Sequence, residues 1–347
     1  MITTAVHYFR WAFVFTLIGV ILAFWLGWTT TGTLAGALSF GLVGTVLAIL
    51  EISLSFDNAV VNANKLKTMA PVWQRRFLTW GILIAVFGMR IIFPLAVVAI
   101  AARIGPWEAL VLAASQPDEY ARIMEEAHLS ISAFGGAFLM MVALTYFIDD
   151  GKKVDWIATL ETNLRRLAPI RGMQISCVLV FVLGFGTALG GEERSTFLYS
   201  AMFGLVTFSA VEVIGQLLDR ERAARDTARA GGLGAFLYLE VLDASFSFDG
   251  VIGAFALTKN LFLIAIGLGV GAMYVRSMTI MLVERETLAH FRYLEHGAFY
   301  SIFFLSLIMM AQSQVHVPEV LTGLVGAGLI GLAFWSSVRE NGSGARS

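Results

Sequence analysis

The stretch Glu51-Ile52-Ser53-Leu54-Ser55-Phe56-Asp57-Asn58 sets two carboxylates and an amide inside a run that is otherwise apolar. It returns as Asp243-Ala244-Ser245-Phe246-Ser247-Phe248-Asp249-Gly250. In each copy an upstream acid is followed by Ser-Phe-Asp at the same spacing, and Lys67 and Lys259 each fall ten residues past the second acid. The next apolar segments carry Arg90 and Arg276, 33 and 27 residues beyond Asp57 and Asp249, so the match requires an insertion in the first copy.

Outward from these strings the chain is apolar almost throughout. Its 347 residues are 58% hydrophobic and 14% charged, with a mean hydropathy of +0.77, where a soluble chain has about 25% charged residues. A helix needs roughly 17 to 25 apolar residues to cross the hydrocarbon, because unpaired backbone groups are too costly there. Segments that long fall at 11–28, 34–64, 78–102, 131–148, 172–190, 197–217, 232–257, 261–283 and 319–337, with a shorter one at 297–311. The expectation is an all-α polytopic membrane protein of about ten transmembrane helices, multi-pass in a cytoplasmic membrane. The segment 34–64 reads either as one tilted helix or as two broken halves. The region 103–130 reads as an acidic external loop with room for a short amphipathic helix, and the first apolar run as a retained helix, longer than a signal-peptide core.

Excess Lys and Arg mark cytoplasmic loops. With the N-terminus inside, 18 of the 24 basic residues collect on that side, and both termini are expected to be cytoplasmic. The two motif segments then cross in opposite senses, so the single membrane domain, 1–347, divides into repeat regions 11–190 and 197–337 of inverted orientation. Transporters built this way bind substrate near the midplane, where the copies face one another.

Six acids fall within the expected spans, namely Glu51, Asp57, Glu212, Glu240, Asp243 and Asp249, against only Arg90 and Arg276. A carboxylate at the bilayer centre costs about 2.5 to 3.5 kcal/mol even on the lenient insertion scale. These groups therefore belong in a protein interior or a wet cavity, where protonation or a bound cation balances the surplus. Helical spacing aligns Glu51, Ser55, Asn58 and Asn62 on one stripe and Asp57 with Asn64 on another. Glu51 and Asp57, about 120° apart on an ideal helix, meet one ion only across a break. Glu240, Asp243 and Ser247 share a side of the second motif helix, Ser245 pairs with Asp249, and Gly250 admits a local unwinding. Static pairing of Arg90 with Glu51 or Asp57, and of Arg276 with Glu240 or Asp243, is the competing structural role. Glu212 lies near a helix end, within reach of the interface.

The donors are carboxylate, amide and hydroxyl oxygens, which suit Mn2+, Ca2+ or Mg2+ as ligand or substrate. The lone Cys177 excludes disulfide and thiolate frameworks. None of the five histidines (His7, His128, His290, His296 and His316) lies in a motif helix. A net charge of -1 gives no footprint for nucleic acid, so the expected partners are the lipid bilayer and metal ions, with a homo-oligomer left open. Gly267, Gly269 and Gly271 read as a face for close helix packing, and Glu295-His296-Gly297 as an interfacial cap or an ion-entry point.

The first motif, the second motif and the Val275-Arg276 helix together resemble the TerC family of integral membrane proteins. More narrowly, the chain resembles its bacterial branch labelled a domain of unknown function, in which segments similar to Tyr238–Gly250 and Tyr293-Leu294-Glu295-His296-Gly297 recur. The likeness runs over about 35–310. It implies the LysE-type transporter superfamily, tellurium-ion resistance or manganese export, and a bacterial inner-membrane location. On that resemblance Asp57 and Asp249 match the family's core aspartates, Asn58 its following asparagine, and Glu51 and Asp243 the upstream acids. Gly250 departs from the pattern. The metal ligands it implies are thus Glu51, Asp57, Asn58, Asp243 and Asp249, with Ser55, Asn62, Arg90, Glu240, Ser247 and Arg276 in supporting or proton-coupling roles. The rival functions are a non-transporting membrane scaffold or metal-resistance accessory protein and, third, an intramembrane aspartyl enzyme.

Overall fold

The computed structural model describes residues 2–81, 84–225, 232–285, 287–315 and 317–344, leaving aside the side chains of 2–5, 85–87, 218–225, 248, 249, 289, 319, 320 and 342–344. Among them every regular element is a helix and no strand forms. In chain order the first helices are α1 (Ile2–Thr31), α2 (Leu34–Leu54), α3 (Phe56–Lys67) and α4 (Pro71–Arg76). Two π-helical stretches, Phe77–Gly81 and Ile84–Ile92, lead into α5 (Phe93–Ala102), α6 (Pro106–Ser115) and α7 (Pro117–Phe147). Then come α8 (Ala158–Arg165), α9 (Met173–Thr187), α10 (Gly191–Arg225), α11 (Leu233–Leu257) and α12 (Leu261–Glu284). The chain closes with the short α13 (Thr287–His290), α14 (Leu294–Ala311) and α15 (Glu319–Gly344).

Seven of these helices are long and apolar enough to cross a membrane, and eight if the pair 88–102 and 106–115, bent by 102°, counts as one span. Each of the ten expected segments has a helical counterpart, but not each is a qualifying span. α9 is 15 residues long, short for the hydrocarbon. α11 is 25 residues long but carries three acids, at Glu240, Asp243 and Asp249. The segment 34–64 divides at Ser55, the second of its two readings. The region 103–130, expected as a loop with room for a short amphipathic helix, holds the ten-residue α6 and the start of α7. The bend before α6 is made by Arg103, whose φ of 55° is left-handed, and by Pro106 in the first turn, where a missing N–H costs nothing.

Burial separates two kinds of span. α7, α12 and α14 have two-thirds of their apolar window buried, whereas α1, α2, α10 and α15 have about a quarter. The latter turn residues such as Leu17, Ile21, Trp25, Leu42, Tyr199 and Leu324 outward, as lipid-facing helices do. α1 and α2 form a hairpin through Gly32, with φ +65°, and the Thr33 hydroxyl caps α2 by accepting the Gly36 N–H at 3.1 Å.

The chain forms two compact units built from interleaved segments: Met1–Ala59, Pro71–His128 and Leu239–Met281 in the first, Val60–Ala70, Leu129–Tyr238 and Leu282–Ser347 in the second. Both acid motifs fall within the first.

Candidate functional site: two buried polar clusters

The first unit holds the duplicated acids. α2 ends one turn after Glu51, where Ser55 leaves helical geometry (φ -101°, ψ 18°) while its N–H still reaches the Glu51 carbonyl at 3.0 Å. The Ser55 hydroxyl also donates to Glu51 Oε1 at 3.0 Å, and the Arg90 guanidinium forms an ion pair with the same oxygen. At 3% exposure, Glu51 would be prohibitively costly as an isolated anion; the guanidinium and hydroxyl are what make it tolerable.

Two glycines shape the space around this carboxylate. A Cβ on Gly271 of α12 would lie 2.4 Å from Glu51 Cβ, so only glycine admits the side chain there. A Cβ on Gly250 of α11 would lie 3.2 Å from Glu51 Oε2. The first motif's upstream acid thus rests against the last residue of the second motif. α11 runs unbroken through Gly250, which corrects the expected unwinding: the glycine provides close approach rather than a break. Gly267, one turn before Gly271, meets Leu47 and the Gly44 carbonyl, so two of the three glycines expected to form a packing face do so against α2.

Asp57 is buried in the first turn of α3, where its Oδ1 accepts the Asn58 N–H at 2.8 Å. Asn58 is buried with Oδ1 unpartnered among the described residues. On α11 the spacing places Glu240, Asp243 and Ser247 on one face, and all three are buried. Neither carboxylate oxygen of Glu240, at 7% exposure, has a hydrogen-bond partner among the described residues, nor does Ser247 Oγ. Glu240 Oε1 sits 2.9 Å from where a Cβ on Gly81 would be, against the first π-helical stretch. Ser245 bonds back to the Val241 carbonyl of its own helix at 3.0 Å. The side chain of Asp249 lies outside the described residues.

Among the described residues, Arg90 pairs with Glu51 as expected, and Arg276 pairs differently. Arg276 instead directs Nε (3.0 Å) and Nη2 (2.5 Å) to the carbonyl of Leu78 in the first π-helical stretch. π-Helical turns concentrate at functional sites, and here they carry one member of a buried ion pair and the backbone against which Glu240 lies. Among the described residues of this unit, Glu51, Asp57, Glu240 and Asp243 are buried, against Arg90 and the half-buried Arg276. Among the described residues, no three His, Cys, Asp or Glu side chains gather closely enough to hold a metal ion. Glu212 is exposed on α10, which runs on to Arg225 rather than ending close to it.

The second unit contains a cluster that sequence reasoning missed. Glu161 of α8 is fully buried at 0% exposure. It accepts the N–H groups of Trp156 and Ile157 and the Tyr300 hydroxyl, and it pairs with Lys152. His296 of α14 donates Nε2–H to the Val154 carbonyl at 2.8 Å, 3.4 Å from Glu161 Oε2. Beside it, Glu295 accepts from Asn64 at 2.7 Å, and Asn62 is buried in the same unit. The Glu295-His296 pair thus serves as a buried joint between the start of α14, the end of α3 and the segment 149–157, not as a surface cap. Lys152, Asp155, Glu161 and Arg165 lie in a polar stretch between apolar segments, where composition alone does not mark burial. The available signal was the aromatic residues around them, Tyr146, Phe147 and Trp156.

No curated protein and no solved structure matches the chain. A family described as a protein of unknown function, DUF475, matches residues 56–343, from just ahead of Asp57 into the end of α15 and including Asp57 and Asp249. With that match spanning most of its length, the chain belongs to the DUF475 family.

Proposed function

We propose that this polytopic membrane protein is a transporter of divalent metal cations, working by alternating access around the acids of its first unit. The observation that carries the reading is the meeting of the two motifs at Glu51 and Gly250, in a unit where, among the described residues, four buried carboxylates face one buried and one half-buried guanidinium. A passing cation, or protons in exchange for it, supplies the missing positive charge. Asp57, Asn58 and Asp243 are the described ligands in this scheme, and Asp249 joins them from the second motif by the TerC resemblance. Mn2+ as the substrate and export as the direction rest on that resemblance.

Export of a divalent cation from an energised cell works against about 2.3 kcal/mol per charge per 100 mV. Proton exchange is the simplest source of that work. The test is Mn2+ flux into proteoliposomes of the purified full-length chain. The expected result is flux that disappears in Asp57→Asn and in Asp249→Asn and persists in Glu212→Gln, all three folding normally. Flux unchanged in both aspartate variants overturns the assignment.

A further inference from the structure

The two oxygens of Glu161 are not used alike. Oε1 is held by three donors, the Trp156 N–H at 3.2 Å, the Ile157 N–H at 3.0 Å and the Tyr300 hydroxyl at 3.1 Å. Oε2 faces the Lys152 ammonium, with His296 Nε2 at 3.4 Å. The ammonium also lies 4.7 Å from the centre of the Tyr146 ring and 4.9 Å from that of Phe147. A carboxylate oriented by its other oxygen, beside two π faces, is the recognition chemistry of an organic cation. Tyr146 is itself fixed by stacking on Phe299 at 3.8 Å. Among the described residues, the other charges nearby are Glu295, close enough to act on both Lys152 and Tyr146, Asp155, 4.0 Å from Lys152 Nζ, and Arg165, which pairs with Asp155.

The ligand in this site belongs to a segment without regular structure. Residues 149–157, between α7 and α8, contain no helix, yet Lys152 is buried to 8% side-chain exposure while its neighbour Lys153 is exposed. Such a segment has little of its own to hold it closed. Its contacts outside itself run through Glu161, through His296 at Val154, and through the Asp155–Arg165 pair and the packing of Trp156 on Tyr300.

We propose that Glu161 Oε2 and the faces of Tyr146 and Phe147 form a binding site for a primary ammonium cation, which Lys152 occupies as a tethered ligand that straps residues 149–157 shut. The rings stand on α7 and the carboxylate on α8, and of the three donors to Oε1 the Tyr300 hydroxyl of α14 lies outside the strap, so the site outlives the removal of Lys152 and accepts a free ammonium in its place. This inference does not depend on the transport reading.

The test uses the full-length protein in nanodiscs, reading trypsin cleavage after Lys153 by mass spectrometry. Lys152→Met keeps the apolar stem and removes the charge. Its strap is expected to be cut roughly tenfold faster than that of the wild type, because opening becomes easier. Methylammonium chloride restores protection, and sodium chloride at equal ionic strength does not. In the double variant with Glu161→Gln, methylammonium restores nothing. Wild-type protection in Lys152→Met without additive overturns the proposal, as does equal rescue by sodium chloride or rescue that survives Glu161→Gln. Should Lys152→Met fail to accumulate, Tyr146→Leu removes one ring face and leaves the ion pair. Faster cutting there supports the site, and unchanged cutting overturns it.

Discussion

Glu51 rests against Gly250: a Cβ built on that glycine would stand 3.2 Å from Glu51 Oε2. The contact joins two stretches of sequence nearly two hundred residues apart that carry the same acid pattern, and it places them in one compact unit. It also explains why the second copy has glycine where the first has Asn58. A side chain at 250 would press on a carboxylate that Arg90 and Ser55 already hold.

The two glycines around Glu51 should therefore respond differently to alanine. At Gly271 the added Cβ meets Glu51 Cβ at 2.4 Å and the Ala48 carbonyl at 3.1 Å, so α2 and α12 must separate. Overpacking of this kind costs about 1 to 3 kcal/mol, and Gly271→Ala is expected to lower the unfolding midpoint clearly. At Gly250 the contact is with the end of a side chain, which can give by a few tenths of an ångström. Gly250→Ala should unfold close to the wild type yet lose Mn2+ flux, because it shifts the carboxylate. Unfolding curves in detergent beside proteoliposome flux separate the two effects; equal loss of stability in both variants would contradict the geometry.

Breaking the buried pair from either side leaves an uncompensated charge, whereas removing both partners does not. Glu51→Leu and Arg90→Met are each expected to cost about 3 to 5 kcal/mol, and the double variant much less than their sum. A double-mutant cycle on denaturant unfolding reads the coupling directly. Additive costs would mean that the two side chains do not depend on one another.

The membrane class, the helical spans and the acids of the first unit were legible because the physics behind them is local. Apolar length dictates a span, and a carboxylate in such a span must be enclosed. The break at Ser55 was half legible, since Glu51 and Asp57 share no face on an ideal helix. Sequence did not reveal the partner of Arg276, because a backbone carbonyl in a π-helical stretch leaves no mark in residue types. Gly250 was misread for a related reason: glycine permits both unwinding and close approach, and only the neighbour across the interface decides between them. Glu161 was hidden by its surroundings. Lys152, Asp155 and Arg165 balance it in a polar segment, and nothing in that composition distinguishes a solvated loop from a buried network.

Glu240 and Glu161 are both buried glutamates, and glutamine should affect them differently. Glu161 is surrounded by donors to its carboxylate, so Glu161→Gln turns favourable contacts unfavourable and should cost about 1 to 3 kcal/mol. Neither oxygen of Glu240 has a donor among the described residues. With no donor to lose, Glu240→Gln should leave the unfolding midpoint unchanged or raise it, by at most about 1 kcal/mol. If that charge serves cation movement, the same variant should lose flux without losing stability. A midpoint that holds or rises while transport falls at least roughly tenfold, equivalent to about 1.4 kcal/mol, identifies a group retained for function rather than for the fold. A destabilised Glu240→Gln with intact flux would make Glu240 a structural residue with an ordinary partner.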